Sequence, residues 1–437
     1  MPIYDLAVIG AGWAGFNAAL RAKKLGLKVC LIDSQKIGGT CLNYGCIPTK
    51  TLIACAKVFS SAKKSSNFGI ESDNLRVNLA TIQEKKDQVI RQLGVSMQSE
   101  LGGIDFINSL AQIISTQEIK VDGRIINAKF ILIATGSYPV ALPELKFDRK
   151  KIISSDEALA LLEIPQSLLI IGGGVIGCEF ASLFSIFGAQ VTIAEKMPLL
   201  LPSEDRDVAR KIEVIFKKKG IKVVTDADIS TFDLENYSKV LVCVGRLPRT
   251  AGLGLEDLGV ELKNNRIAVD DYLKSSRDNI YAAGDCTAKV MLAHYAAYQG
   301  VMAVENMFLS NRQKADNLVV PACIFTEPQI ASVGLNQENA LAAGLKIKVH
   351  KFDFRASAMA RIIDEVDGFV KIISNQENGR IIGASIVGPQ ATELISTMVA
   401  AISAHLTTDQ IREMIFAHPT FSESFHEALK NQGGVDD

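Results

Sequence analysis

Cys41 and Cys46 stand with four residues between them in Gly38-Gly39-Thr40-Cys41-Leu42-Asn43-Tyr44-Gly45-Cys46-Ile47-Pro48-Thr49-Lys50. One helical turn can bring two sulfurs at that spacing within disulfide distance. A thiolate beside a helix N-terminus and a lysine such as Lys50 is stabilised electrostatically, so the pair would be easy to reduce and re-form. The alternative is two buried thiols that never react, since free cysteine commonly packs as a small hydrophobe. A second constellation lies near the other end of the chain, in Ala417-His418-Pro419-Thr420-Phe421-Ser422-Glu423. Histidine accepts and releases protons near neutral pH, which suits it to acid–base work. Alone, His418 reads equally well as a structural residue ahead of a rigid proline.

The elements that must position these side chains look like nucleotide-binding units. Residues 6–9 form an apolar run ending at Gly10-Ala11-Gly12-Trp13-Ala14-Gly15. A helical stretch over 17–25 follows, and residues 28–32 resume as a strand ending at Asp33. Gly10, Gly12 and Gly15 allow the tight turn, the close approach to a pyrophosphate and the helix–strand packing, and Asp33 can accept hydrogen bonds from a ribose. The pattern returns: residues 168–171 lead into Gly172-Gly173-Gly174-Val175-Ile176-Gly177, a helix to 187, and a strand over 190–194 ending at Glu195. Gly15 to Asp33 spans the same 18 positions as Gly177 to Glu195. The chain is therefore expected to carry two dinucleotide sites, an internal duplication at the domain level.

A flavin takes a hydride from NAD(P)H and hands electrons to a disulfide. FAD is assigned to the first site, because the cysteines follow it in the same domain. The second site, with Gly172, Gly174 and Gly177, is assigned to NAD. Glu195 should bond a free ribose 2′-OH and repel a 2′-phosphate, favouring NAD over NADP, with the cation of Lys196 beside it as an opposing influence.

At 437 residues the chain is too long for one core, and 48% apolar with 22% charged residues describes a globular protein. A net charge of −1 points to neither nucleic acid nor an anionic membrane surface. The eight cysteines are sparse for a disulfide scaffold, and no metal is expected. The N-terminus runs directly into a strand pattern, no signal peptide is read, and no apolar run is long enough to span a bilayer, so the cytoplasm is the expected compartment. The fold class expected is α/β: two Rossmann-like dinucleotide-binding domains plus an α+β C-terminal dimerisation domain. The limits expected are 1–144 for the first part of the FAD domain, 145–262 for the NAD domain, 263–317 for the second FAD part and 318–437 for the last domain. Between the fingerprints, Ile90, Leu93, Met97 and Leu101 share a helix face that reads as packing. Strands over 130–133, 240–244 and 280–283 end at Ala134-Thr135-Gly136, Gly245-Arg246 and Gly284-Asp285. Ligands sit at such carboxyl ends, so Asp285 is read as a cofactor contact or, alternatively, as a helix cap.

The order of these motifs resembles the pyridine nucleotide-disulfide oxidoreductases of the glutathione reductase class over essentially the whole chain. Gly10 to Gly15, Gly38 to Lys50, Ala134-Thr135-Gly136, Gly172 to Glu179, Gly284-Asp285, Met291-Leu292-Ala293-His294, Phe325-Thr326-Glu327-Pro328 and His418 to Glu423 carry the likeness. Within the class it is most similar to the branch that oxidises dihydrolipoyl groups. The resemblance implies that Cys46 faces the flavin and Cys41 exchanges with substrate. It implies that Lys50 and Glu179 pair near the flavin, beside the nicotinamide. Thr40, Thr135, Gly136, Asp285 and the backbone around His294 would contact FAD, and Gly245 would contact NAD. His418 would be the acid–base catalyst, oriented by Glu423 and reaching the cysteines of the other subunit in a homodimer. Electrons would pass from dihydrolipoyl groups, including those on lipoyl domains of a 2-oxoacid dehydrogenase complex, through a Cys41–Cys46 disulfide and FAD to NAD+. Two other readings stand beside this one: an NAD(P)H-dependent reductase of another low-molecular-weight disulfide, and a non-catalytic flavoprotein assembly subunit. Residues 223–239 are fewer than the family pattern has, which should trim a β-meander from the NAD domain and leave NAD binding in place.

Overall fold

The computed structural model describes residues 3–287, 289–315 and 319–430. The first fingerprint folds as strand Ile3–Ile9, helix Trp13–Lys24 and strand Val29–Ile32. The helix begins at Trp13 rather than near residue 17, because Gly12 serves as its N-cap. Ile3–Ile9 lies between Val29–Ile32 and Arg124–Ile133, all parallel. Ile280–Ala282 returns from far along the chain to pair with Arg124–Ile133. Val29–Ile32 is buried throughout, as expected of a parallel strand covered on both faces.

The second fingerprint builds an all-parallel sheet in the order Lys222–Val224, Gln190–Ala194, Ser167–Ile171, Lys239–Val242, Ile152–Ile153. The strand expected to reach 244 stops at Val242, because its partner Ile171 is the last residue before the chain turns at Gly172. Cys243, Val244 and Gly245 are thereby left to form a rim. Between Val224 and Lys239 there is no strand. Two single 3-10 turns, Ile229–Thr231 and Leu234–Asn236, are capped by Asp228 and Asp233. The expected loss of a β-meander is what the chain shows.

One expected domain limit needs correcting. Leu262–Lys263 pairs with Arg266–Ile267 in a hairpin, which a boundary at 262/263 would cut. Leu253, Leu255, Val260 and Ile267 pack into the core beneath the first sheet, and Arg246–Pro248 pairs with Ser137–Pro139. The chain re-enters the first unit near residue 246.

The last unit is an antiparallel sheet ordered Ala322–Ile324, Gln329–Gly334, Ile381–Gly388, Phe369–Asn375, Ile347–Asp353. Helix Ala391–Ser403 packs against Gln329–Gly334 and Ile381–Gly388. Helix Thr408–Glu413 follows, and His405 lies between the two helices at a positive φ of 55°. In the long helix Leu79–Glu100, Met97 is buried, as is Leu101 at its end, but Leu93 is 39% exposed. The apolar stripe is thus only partly a packing face. Among the described residues no helix is long and apolar enough to cross a membrane.

Candidate active site

Loops at the carboxyl ends of the parallel strands of the two nucleotide-binding units open on one cavity of about 2500 Å³. A site for one drug-sized ligand occupies roughly 300–1,000 Å³, so this space is of the size two dinucleotides need. The fingerprint glycines are fitted to that purpose. Gly10 and Gly172 both have φ of +107°, and a Cβ there would come within 2.2 Å of Ala134 O and 2.6 Å of Cys243 O. Gly15 and Gly177 lie beneath their loops, where a Cβ would meet the carbonyl oxygens of Gly10 and Gly172 at 1.8 and 2.0 Å. Asp33 accepts from Ala11 N at 2.7 Å, and Glu195 accepts from Gly173 N at the equivalent position. The buried Glu195 also accepts from Met197 N at 2.7 Å, so each acid shapes the loop whose ribose it would bind.

The helix starts give a second test of fit. Helices Trp13–Lys24, Cys46–Lys63, Val175–Phe187 and Ala293–Phe308 begin at the cavity without side-chain caps. Elsewhere Asn78, Ser154, Asp205, Asn336, Ser357 and Thr407 cap their helices, Ala391–Ser403 being an exception. With the short helix Gly39–Tyr44, which also begins at the cavity without a side-chain cap, five sets of N-terminal N–H groups face one space, ready for phosphate oxygens, a flavin ring or a thiolate.

The cysteines do not share one helical turn. Cys41 belongs to helix Gly39–Tyr44, the chain breaks at Gly45 (φ −141°, ψ −112°), and Cys46 opens helix Cys46–Lys63. Hydrogen bonding between the two thiols is the leading influence on the ionisation of each. That bond and the Lys50 charge draw Cys46 down from 9.0 to about 7, against opposing effects of burial and Glu179. The same bond, burial and the nearby Cys46 charge hold Cys41 above the ordinary thiol range. In the dithiol, Cys46 is thus the more acidic of the two thiols. By contrast, burial pushes Cys30, Cys243 and Cys286 up to about 12, which makes them inert.

Lys50 and Glu179 meet as the family pattern implies. Lys50 Nζ lies 2.8 Å from both oxygens of the buried Glu179. Phe325 N donates to Glu179 at 2.9 Å, and the Phe325 ring centroid lies 4.7 Å from Nζ. A residue from each of the three units thus joins at one point. Phe325 carries a role that sequence reasoning did not assign; its place in the Phe325-Thr326-Glu327-Pro328 motif was the available signal.

Gly12, Thr40, Thr135, Gly136, Gly174, Gly245, Asp285 and His294 also line the cavity. Asp285 accepts from Ser137 Oγ at 2.6 Å, and Arg246 donates to Ser137 Oγ at 2.8 Å and Ser137 O at 3.0 Å. Asp285 is held by a side chain, not used as a helix cap. His294 bonds Pro321 O at 2.9 Å through Nε2. The shortened segment also brings Asp226 and Asp228 to the cavity wall, because Ala227 N donates to Glu195 O at 2.9 Å. Sequence reasoning missed these two acids.

His418 and Glu423 do form a pair, Nδ1 to Oε2 at 2.8 Å, and Thr420 N also donates to Glu423. Within one chain the structure does not bring them to the cysteines: neither lines the cavity, and the His418 side chain is 71% exposed.

Two nucleotide cradles opening on one cysteine pair define a flavin-linked disulfide enzyme. The chain belongs to the pyridine nucleotide-disulphide oxidoreductases: residues 4–300 match that family, and residues 320–429 match its dimerisation domain. It is an NAD-dependent flavoprotein disulfide oxidoreductase with FAD and NAD as cofactors. Among curated relatives, a dihydrolipoyl dehydrogenase of Bacillus subtilis is 39% identical, over 98% of this chain and 99% of its own. One from Geobacillus stearothermophilus is 36% identical, over 98% and 95%. Among solved structures, LpdA from Mycobacterium tuberculosis superposes with a TM-score of 0.90 at 28% identity, covering 97% of this chain and 99% of that one. The HOCl-induced flavoprotein disulfide reductase RclA from Escherichia coli gives 0.88 at 29%, covering 98% and 100%.

Proposed function

We propose that the protein is a dihydrolipoyl dehydrogenase acting as a homodimer. The observation that carries this reading is the Cys41–Cys46 pair, with its low-lying Cys46 thiol beside Lys50, in a chain whose full-length curated relatives bear that name. The FAD and NAD that this family binds accept the electron pair that a substrate dithiol leaves on the cysteines.

In this reading a dihydrolipoyl thiolate attacks Cys41 of the disulfide, and Cys46 departs as a thiolate stabilised by its helix N-terminus and Lys50. The second substrate thiolate attacks the substrate sulfur of the mixed disulfide, closing the cyclic product and releasing Cys41 as a thiolate. The partner subunit's His418 takes the protons at Nε2, with Nδ1 held by the partner subunit's Glu423. Its exposure outside the cavity of its own chain supports that placement. Lys50 and Glu179 would hold the flavin on the side of the second nucleotide site, and Glu195, Asp226 and Asp228 would favour NAD over NADP. The reading includes a cytoplasmic setting and lipoyl domains of a 2-oxoacid dehydrogenase complex as the carriers of substrate.

The test is a substrate panel with purified, FAD-loaded protein. NAD+ should be reduced by dihydrolipoamide faster than glutathione disulfide or other small disulfides are reduced by NADH or NADPH. Absence of dihydrolipoamide turnover, with brisk reduction of another disulfide, would replace this reading with the reductase one. Sedimentation should find a dimer.

A further inference from the structure

We propose that Trp13, within the first phosphate loop, is a positioning residue for the exchanging thiol, its indole N–H directed to hold Cys41 as a thiolate. Trp13 is the single tryptophan of the chain. Its loop rests on the cysteine segment: Gly38 N donates to Ala11 O at 2.9 Å, and a Cβ on Gly39 would come within 2.7 Å of Gly12 Cα. Trp13 and Cys41 line the same cavity. Indole Nε1 is buried and has no hydrogen-bond partner, while Trp13 is among the groups that act on the Cys41 thiol. A neutral thiol is a weak acceptor, and a thiolate is a strong one. The N–H therefore gains a full partner only when Cys41 ionises. The charged or titratable groups that face Cys41 are Cys46, which opposes ionisation, and Lys50, which favours it.

The device serves one step, and for this the inference rests on the proposed function. When the second substrate thiolate attacks the mixed disulfide, a new substrate S–S bond forms and the Cys41–S bond breaks. The electron pair stays on Cys41, and the indole N–H accommodates that charge without transferring its proton. In the reverse direction the same donor stabilises the charge that Cys41 gains when its proton is taken and it attacks the substrate disulfide.

The test needs no substrate, so failure with dihydrolipoamide leaves it standing. In FAD-loaded Cys46→Ser protein, which isolates Cys41, the pH dependence of Cys41 alkylation by iodoacetamide is followed by peptide mass. Adding Trp13→Phe should raise the midpoint by about one pH unit, making alkylation about tenfold slower below it. An unchanged midpoint overturns the proposal, as does a loss of FAD content with the midpoint fixed, which would give the N–H to the dinucleotide instead. Should Trp13→Phe not fold, Cys46→Ser protein with 15N-indole label offers one resonance. Its displacement as Cys41 titrates supports the proposal, and a resonance that stays still through the titration refutes it.

Discussion

Lys50→Met tests the electrostatic account of the redox pair most directly. Lys50 Nζ sits 2.8 Å from both Glu179 oxygens, with side-chain exposures of 29% and 4%. Removing the ammonium acts on two groups. Cys46 loses its nearby cation and keeps the Cys41 hydrogen bond, the largest of the influences that lower it from 9.0 to about 7. Glu179 then repels the thiolate unopposed. The midpoint should climb by about one unit, so the thiolate fraction at pH 6 falls about tenfold. The direction of the pH effect follows: a depressed thiol stabilises the reduced protein fully above pH 9, and that stabilisation fades as pH falls through about 7. In Lys50→Met the fading begins about one unit higher. Glu179 meanwhile remains buried with only the Phe325 N–H. Stripping a buried carboxylate of its cation costs about 3–5 kcal/mol, and the partial exposure of Lys50 reduces this to about 2–3. Adding Glu179→Gln removes the stranded charge and should recover most of the loss. Iodoacetamide mapping of Cys46 against pH and urea unfolding of the reduced proteins measure both effects. An unmoved Cys46 midpoint, or a double variant no more stable than Lys50→Met, would refute the reasoning.

Other outcomes follow from the same geometry. His418→Gln should lower dihydrolipoamide turnover by about 10²–10⁴-fold and leave NADH-driven dye reduction intact; equal loss of both would remove its acid–base role. Gly10→Ala, whose Cβ would lie 2.2 Å from Ala134 O, should purify without FAD. Gly172→Ala, 2.6 Å from Cys243 O, should keep FAD and lose NADH binding in titrations, and the opposite pattern would reverse the assignment of the two sites. Asp228→Lys should raise NADPH affinity relative to NADH by about tenfold in direct binding, the carboxylate beside Glu195 having been replaced by a cation; an unchanged ratio would clear Asp228 of any part in selectivity. Burial lowers His350 from 6.5 to about 4, so the unfolded chain takes up its proton first and stability declines as pH falls from 6.5 to 4. His350→Gln should flatten that decline in urea titrations.

The duplication was legible because its geometry admits so few residues. A loop at φ of +107° against a neighbouring carbonyl requires glycine, and both copies demand it at the same places. The cysteine pair was equally visible by spacing. What the local pattern did not contain were pairings across the chain: Lys50 and Glu179 are 129 residues apart, Phe325 and Glu179 are 146, and Arg246 and Ser137 are 109. Only the family pattern supplied the first of these. The stripe misled at Leu93 for a related reason, since periodicity identifies a helical face but not what covers it. The break at Gly45 was open to inspection, as a glycine just before Cys46, but spacing alone made one turn look sufficient. The cavity also left a sequence trace that went unused: helices beginning after Gly12, Gly45 and Gly174 have no side-chain cap.

The ion pair explains why the two nucleotide units must keep a fixed relation. Cys46 is the first residue of its helix and Lys50 the fifth; Val175 is the first residue of the second-site helix and Glu179 the fifth. Each charged side chain therefore projects one turn inside a helix whose uncapped N-terminus faces the common cavity. In the proposed function one helix stabilises the thiolate, and the other receives the second dinucleotide. Sliding either helix by one turn would move its charge about 5.4 Å and dissolve a contact made at 2.8 Å. Phe325 closes the arrangement from the third unit by binding the same carboxylate, so displacing the C-terminal sheet would also disturb Glu179. The cysteine pair alone gives a dithiol, and Lys50 alone gives a lower thiol pKa. Set at the fifth position of two converging helices, the charges make the distance between thiolate and second nucleotide site a property of backbone register rather than of side-chain rotamers.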